Sequence, residues 1–164
     1  MKTQIAAASR IITAPAEQVY KIIGDYRNTH PHILPKAYFI ALEVENGGYG
    51  AGTIINFSMR ILGRVQDFRS LITEPQPGRL LVETDIRSQS ATSFQVIPMK
   101  DASLTRATIF TELQGCKWIE ALLAKPILEK IYRQELELLA QLAENPAVMQ
   151  SLARPQKKER MEER

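Results

Sequence analysis

Apolar and polar side chains alternate strictly from Ile55 to Ile61, with Ile55, Phe57, Met59 and Ile61 on one side and Asn56, Ser58 and Arg60 on the other. Successive side chains of a strand point to opposite faces, so this stretch predicts a strand with one buried and one wet face. Tyr38, Ile40, Leu42 and Val44 repeat the pattern just upstream. Between Lys36 and Leu113 the chain is divided by turn signals at Glu45 to Gly52, Leu62 and Gly63, Pro75 to Gly78, Arg87 to Gln89 and Met99 to Ser103. A strand is expected in each interval, and another from Ile5 to Ile12. Connections this short join antiparallel neighbours.

The period changes on either side of this strand-rich region. Val19, Ile22, Ile23 and Tyr26 recur at helical spacing and predict a short helix. Thr13 is placed to cap its first turn, Pro15 suits a position needing no amide partner, and Glu17 favours the positive end of the helix dipole. Gly24 weakens the helix and Pro31 blocks its extension, leaving room for one further turn around His30 to Leu34 before Pro35. A long helix is expected from about Lys117 to Glu144, with Pro126 inside it. Its apolar face of Ile119, Leu123, Ile127, Ile131, Leu138 and Leu142 needs a partner, and the sheet is the only large complementary surface. Asn145 and Pro146 end it. The order of elements is α+β, with one domain over residues 1–144 and a charged tail over 145–164 that is expected to be flexible.

Composition changes this picture little. A chain of 164 residues with 45% hydrophobic content suits a single core. The formal charge of +3 is concentrated in the tail, where Arg154, Lys157, Lys158, Arg160 and Arg164 face only Glu159, Glu162 and Glu163, so the body is near neutral. No basic stripe interleaved with aromatics appears, and no nucleic-acid partner is expected. The N-terminal segment alternates polar and apolar residues and is broken by Ser9 and Arg10, so neither a signal peptide nor stable membrane insertion is expected. With Cys116 as the only cysteine, an internal disulfide is excluded and a cytoplasmic location is expected.

Overt chemistry is sparse. His30 and His32 flank Pro31, but a zinc site asks for three or four ligands and no supporting spacing is present, so the segment is expected to be a structural corner at a surface or rim. Cys116, after Gly115 at the start of the long helix, has the setting of a lowered thiol pKa but no base beside it in the sequence. The chain lacks GxSxG, Walker and GxGxxG patterns. No metal or cofactor is expected.

Several local sequences, in order, resemble the SRPBCC or START-like superfamily, which includes the polyketide cyclase/dehydrase and birch-pollen-allergen-like proteins. They are Ile12, Ala14 and Pro15 in ITAP, Val19, Asp25 in IIGDY, Leu34 and Pro35 in ILP, Gly50 to Thr53 in GAGT, Ile72 to Leu80 in ITEPQPGRL, and Ser93 to Pro98 in SFQVIP. The resemblance spans about Ile5 to Glu144. It implies a helix-grip fold, a curved seven-stranded antiparallel sheet wrapped around the C-terminal helix with two short helices after the first strand, and an apolar cavity between sheet and helix. The DYRNTHPHILP segment is also similar to the coenzyme-Q-binding branch.

The function implied is binding of a hydrophobic small molecule or lipid without catalysis, with Tyr38, Ile40, Phe57, Met59, Phe68, Phe94, Ile109, Ile127 and Ile131 lining the cavity. The alternatives are a cyclase or dehydratase and an isoprenoid-quinone binder. For an enzyme, the polar candidates are Asp67, Arg69, Tyr38 and the histidines, with Tyr49 as a further orienting group. On the family pattern Gln66, Phe68, Ser70 and Ile72 face inward, which leaves Asp67 and Arg69 on the solvent side; with Val65, Asp67, Arg69 and Leu71 inward instead, Asp67 and Arg69 form a buried ion pair suited to proton transfer. The oligomeric state is left open.

Overall fold

The computed structural model describes residues 4–113 and 118–153. Its elements run β1 (Gln4–Ile12), α1 (Ala16–Gly24), a 3-10 turn (His30–Ile33), β2 (Phe39–Asn46), β3 (Ile54–Ile61), β4 (Arg64–Gln76), β5 (Leu80–Asp85), β6 (Ala91–Pro98), β7 (Thr105–Leu113), α2 (Trp118–Ala143) and α3 (Pro146–Ala153). Cys116 lies outside the described residues.

The strands form one seven-stranded sheet in the order β1-β7-β6-β5-β4-β3-β2, and every neighbouring pair is antiparallel. This is the curved sheet with a long C-terminal helix expected of an α+β helix-grip fold. Between β3 and β4 the hairpin is as tight as the sequence allows: Leu62 and Gly63 both take positive φ, 51° and 74°, which matches the twist of the paired strands.

α2 packs on β1, β7 and the 3-10 turn. Ile131, Leu136 and Leu139 of the helix are essentially solvent-free, as are Ile12, Ile72, Leu81 and Ile109 of the sheet and Ile22 and Ile23 of α1. Two hydrogen bonds fasten the end of α2 to the start of α1: Gln18 Nε2 donates to the Ala143 carbonyl at 2.8 Å, and the Thr13 amide donates to Glu144 Oε1 at 2.9 Å. An otherwise orphaned helix C-terminal carbonyl thereby gains a donor.

Four expectations change. Thr13 does not cap α1: the helix begins one residue after Pro15, whose carbonyl accepts from the Gln18 and Val19 amides, and no side chain caps it. Ile40 is half exposed rather than buried, because a register shift between Phe39 and Ala41 interrupts the alternation and turns Phe39 inward in its place, while Leu42 faces inward as expected. On α2 the fully buried leucines are Leu136 and Leu139, whereas Leu138 is only partly covered. Beyond Asn145 the chain continues as α3, whose Met149 and Leu152 pack against the core, so order extends past the expected end.

Leu139→Ala should lower stability by about 2–5 kcal/mol, the range for a truncated core leucine. In urea unfolding, Leu138→Ala should cost about 1 kcal/mol or less, since a partly solvated side chain loses less contact.

Candidate functional site

The inner face of β2 to β5 is not filled by α2, which lies toward the β1–β7 side. A cavity of about 260 Å³ results, bounded by the sheet, the 3-10 turn and the first half of α2. Phe39, Leu42, Ile55, Phe57, Met59 and Phe68 form its sheet wall, and Ala124, Ile127 and Leu128 form its helix wall. Phe57 and Phe68, cross-strand partners on β3 and β4, stack with ring centroids 5.0 Å apart.

The predicted lining separates into distinct locations. Phe57, Met59, Phe68, Phe94 and Ile127 face the cavity together. Ile109 and Ile131 are solvent-free members of the core and Tyr38 packs at its margin, none of them on the cavity wall; Ile40 points to solvent.

One end of the cavity is polar, and His30 leads into it. The corner after α1 is built to turn this residue inward. Asp25 Oδ1 accepts from the Arg27 and Asn28 amides, and the Asp25 carbonyl accepts from the His30 amide at 2.8 Å. The Tyr26 amide donates to the Gly48 carbonyl, while Thr29 Oγ1 donates to the Ile22 carbonyl. The bound loop passes so close that a side chain at Gly48, where φ is 136°, would collide with Arg27. His30 is consequently 1% exposed, not the surface or rim corner expected from its sequence. His32, on the same turn, is exposed.

The His30 tautomer follows from its partner. Nδ1 lies 2.6 Å from the Ile23 carbonyl, which can only accept, so Nδ1 carries the proton and Nε2 presents a lone pair in the neutral ring. That lone pair lies 3.6 Å from Glu83 Oε1 on β5. The same oxygen accepts from the Tyr26 hydroxyl at 2.6 Å, and the Tyr26 and His30 rings stack with centroids 4.3 Å apart. Glu135 of α2 completes the polar end, 3% exposed and with no hydrogen-bond partner among the described residues. Beside it, the Tyr132 hydroxyl is hydrogen-bonded to Thr111, which bonds in turn to Thr92.

Burial dominates the protonation of this cluster. It pushes the Glu83 carboxyl up to about 7, against the opposing effect of the Tyr26 hydrogen bond. It also holds Glu135 well above the usual carboxylate range, with the neighbouring Glu83 adding repulsion. His30 is drawn down to about 4, although its bond to Ile23 favours the charged ring. At neutral pH the histidine is therefore neutral, and Glu83 sits near its midpoint. Among the described residues no group of three His, Cys, Asp or Glu side chains is arranged to hold a metal.

Apart from His30, the polar candidates named from sequence lie elsewhere. Asp67 accepts from Ser58 Oγ at 2.6 Å and Arg69 forms a two-pronged pair with Glu45, at 2.8 and 2.6 Å, all exposed on the outer face of the sheet. Tyr49 is mostly exposed beside α1. Glu83 and Glu135 do have sequence signals. Leu81, Glu83 and Asp85 share one face of β5, so an inward Leu81 carries the two acids with it. Glu135 stands four residues after Ile131, inside the apolar stripe of α2.

Residues 3–144 match the model of the family described as polyketide cyclase/dehydrase and lipid transport. No curated protein matches the chain in sequence. Among solved structures, the KanY protein superposes with a TM-score of 0.78 at 23% identity, covering 88% of this chain and 100% of its own. A START superfamily protein from Mycobacterium smegmatis gives 0.59 at 15% identity, covering 92% and 99%. The ZhuI aromatase/cyclase from Streptomyces sp. R1128 gives 0.65 at 14% identity, covering 87% and 94%. At these identities the likeness is one of fold. No helix among the described residues is long and apolar enough to cross a membrane.

The buried acid has a pH signature. Between 4.5 and about 7 the unfolded chain releases the Glu83 proton while the folded protein retains it, so this group's contribution to stability falls as pH rises and levels off above 7. His30 acts oppositely, adding stability from about 4 up to its ordinary value of 6.5. Glu83→Gln, which keeps an acceptor for Tyr26, should become more stable relative to the parent by roughly 3 kcal/mol between pH 4.5 and 8. Urea unfolding at the two pH values measures this difference, and the cost of the substitution that is independent of pH cancels.

Proposed function

Since the chain belongs to the polyketide cyclase/dehydrase and lipid transport family, we propose that it binds one mostly apolar small molecule between the sheet and α2 and releases it unchanged. The observation that carries this reading is the cavity of about 260 Å³, walled by Phe57, Met59, Phe68, Phe94 and Ile127, with the polar cluster of His30, Glu83 and Glu135 on its lining. In this reading those side chains supply contact area and the polar end fixes orientation. Burial of roughly 300 Å² of ligand surface would contribute about 7 kcal/mol, from which several kcal/mol of association cost is subtracted. Binding in the micromolar to millimolar range follows.

One observation favours a second reading, proton-transfer chemistry on a bound carbonyl compound. Glu83, pushed up to about 7, stands 3.6 Å from the basic nitrogen of a neutral histidine, the protonation behaviour that general acid–base catalysis needs near neutral pH. ZhuI, with the same fold, is an aromatase/cyclase. Here the polar actors would be Glu83 and His30 in place of Asp67 and Arg69.

The binding reading is tested with 2-naphthol, followed by its fluorescence. The parent should bind it, and Ala124→Trp, which fills the cavity from the helix wall, should weaken binding by about tenfold or more with little change in melting temperature. Equal binding by both proteins would place the ligand elsewhere. For the enzymatic reading, a cavity-bound compound should be recovered chemically altered from the parent and intact from Glu83→Gln. Recovery intact from both removes it.

A further inference from the structure

The binding site proposed above has an uneven charge inventory. Glu83, Asp85 and Glu135 line the cavity, and no lysine or arginine is present among its described lining residues. Asp85 is already satisfied: Oδ1 accepts from the Arg69 amide at 3.1 Å, and Oδ2 accepts from the Ser88 amide and hydroxyl, both at 2.8 Å. The other two acids are not. Glu83 receives the Tyr26 hydroxyl on Oε1, and Oε2 has no partner among the described residues. Glu135 is 3% exposed, lines the cavity and has no partner among them on either oxygen. His30 adds the lone pair of Nε2 to this end, because its one proton is committed to the Ile23 carbonyl.

Oε2 of Glu83 and both oxygens of Glu135 are therefore open to a donor from a ligand, and ionisation of Glu83 or Glu135 makes this end negative. We infer that this end of the cavity is a subsite for a protonated amine, and that the ligand is an amphipathic molecule with an apolar body and one ammonium group. An ammonium carries three donors and a positive charge, which suits two carboxylates and an imidazole nitrogen without requiring a protein cation. A hydroxyl supplies one donor and no charge. A carboxylate adds a like charge beside two buried acids, which is repelled or forced to take a proton.

The cavity volume sets the size of the probe. A cavity of about 260 Å³ calls for a small probe, such as an eight-carbon chain with one polar group. The titratable groups facing Glu83 and Glu135 are Tyr26 and His30 from the corner after α1, Asp85 on β5 and Tyr132 on α2. Neither tyrosine ionises near neutrality, since burial raises both, and His30 stays uncharged. Any strengthening of amine binding between about pH 6 and 8 then reports the carboxyls, as a primary amine remains protonated up to about pH 10.

This inference rests on the cavity-binding reading, and the experiment separates the two. Octylamine, 1-octanol and octanoate are each titrated into the whole chain by NMR, at about pH 6 and about pH 8. At about pH 8 octylamine should bind about tenfold tighter than 1-octanol, and octanoate weakest. Octylamine should weaken about fivefold at the lower pH while 1-octanol changes by less than about twofold. Glu135→Gln should reduce the amine-to-alcohol ratio to within about threefold. If 1-octanol matches octylamine at the higher pH, or octanoate binds tightest, the amine subsite is wrong while cavity binding stands. If none of the three perturbs the cavity residues, both fail together.

Discussion

Two carboxyl side chains buried without a cation are the constraint around which the site is organised. Charge in an apolar interior is costly unless it is paired, so an isolated buried acid keeps its proton, finds a donor, or meets a charged ligand. Glu83 does part of this within the chain through Tyr26, whereas Glu135 does not. The corner after α1 gains its significance from the same constraint. Its turn, its hydrogen bonds to the glycine loop and the Thr29 bond to Ile22 hold Tyr26 and His30 against the acid on β5. A hydrogen bond to one backbone carbonyl, that of Ile23, decides which nitrogen of His30 faces the cavity.

The cavity itself follows from where α2 rests. The helix is anchored at its end by Gln18 and Glu144, and its buried leucines pack toward β1 and β7. Sheet curvature then leaves a gap between the inner face of β2 to β5 and Ala124, Ile127 and Leu128 of the helix. Its Phe57 and Phe68 stack on one another and turn their remaining surface to the cavity. Core stability and cavity shape thus rest on different side chains of α2, with Ile131, Leu136 and Leu139 packing the core and Ala124, Ile127, Leu128, Tyr132 and Glu135 bounding the space. This division lets the cavity wall vary with less effect on the fold than changes around Leu136 or Leu139.

The regular elements were legible because they depend on local pattern. The alternation in β3 placed Ile55, Phe57, Met59 and Ile61 on one face, and all four line the cavity. The same rule failed in β2 at Ile40, because a bulge inserts a residue without altering composition. The His30 site was illegible for a different reason. Its burial requires Glu83, 53 positions away, and a loop whose tight contacts appear only once the chain is folded. Glu135 is legible in principle as an acid within an apolar stripe, but a stripe running through Ile131, Leu138 and Leu142 passes over it. Polar residues at apolar positions carry the information about the site, and apolar periodicity alone does not mark them.

The most direct measurement is a pH titration of the carboxyl carbons of Glu83 and Glu135 by NMR in the ligand-free protein. The account predicts that both remain protonated at about pH 6, with Glu83 releasing its proton near 7 and Glu135 releasing its own well above the ordinary carboxylate range. Titration of both near 4.5 would show two solvated acids, and would contradict a buried acceptor pair at the end of an apolar cavity.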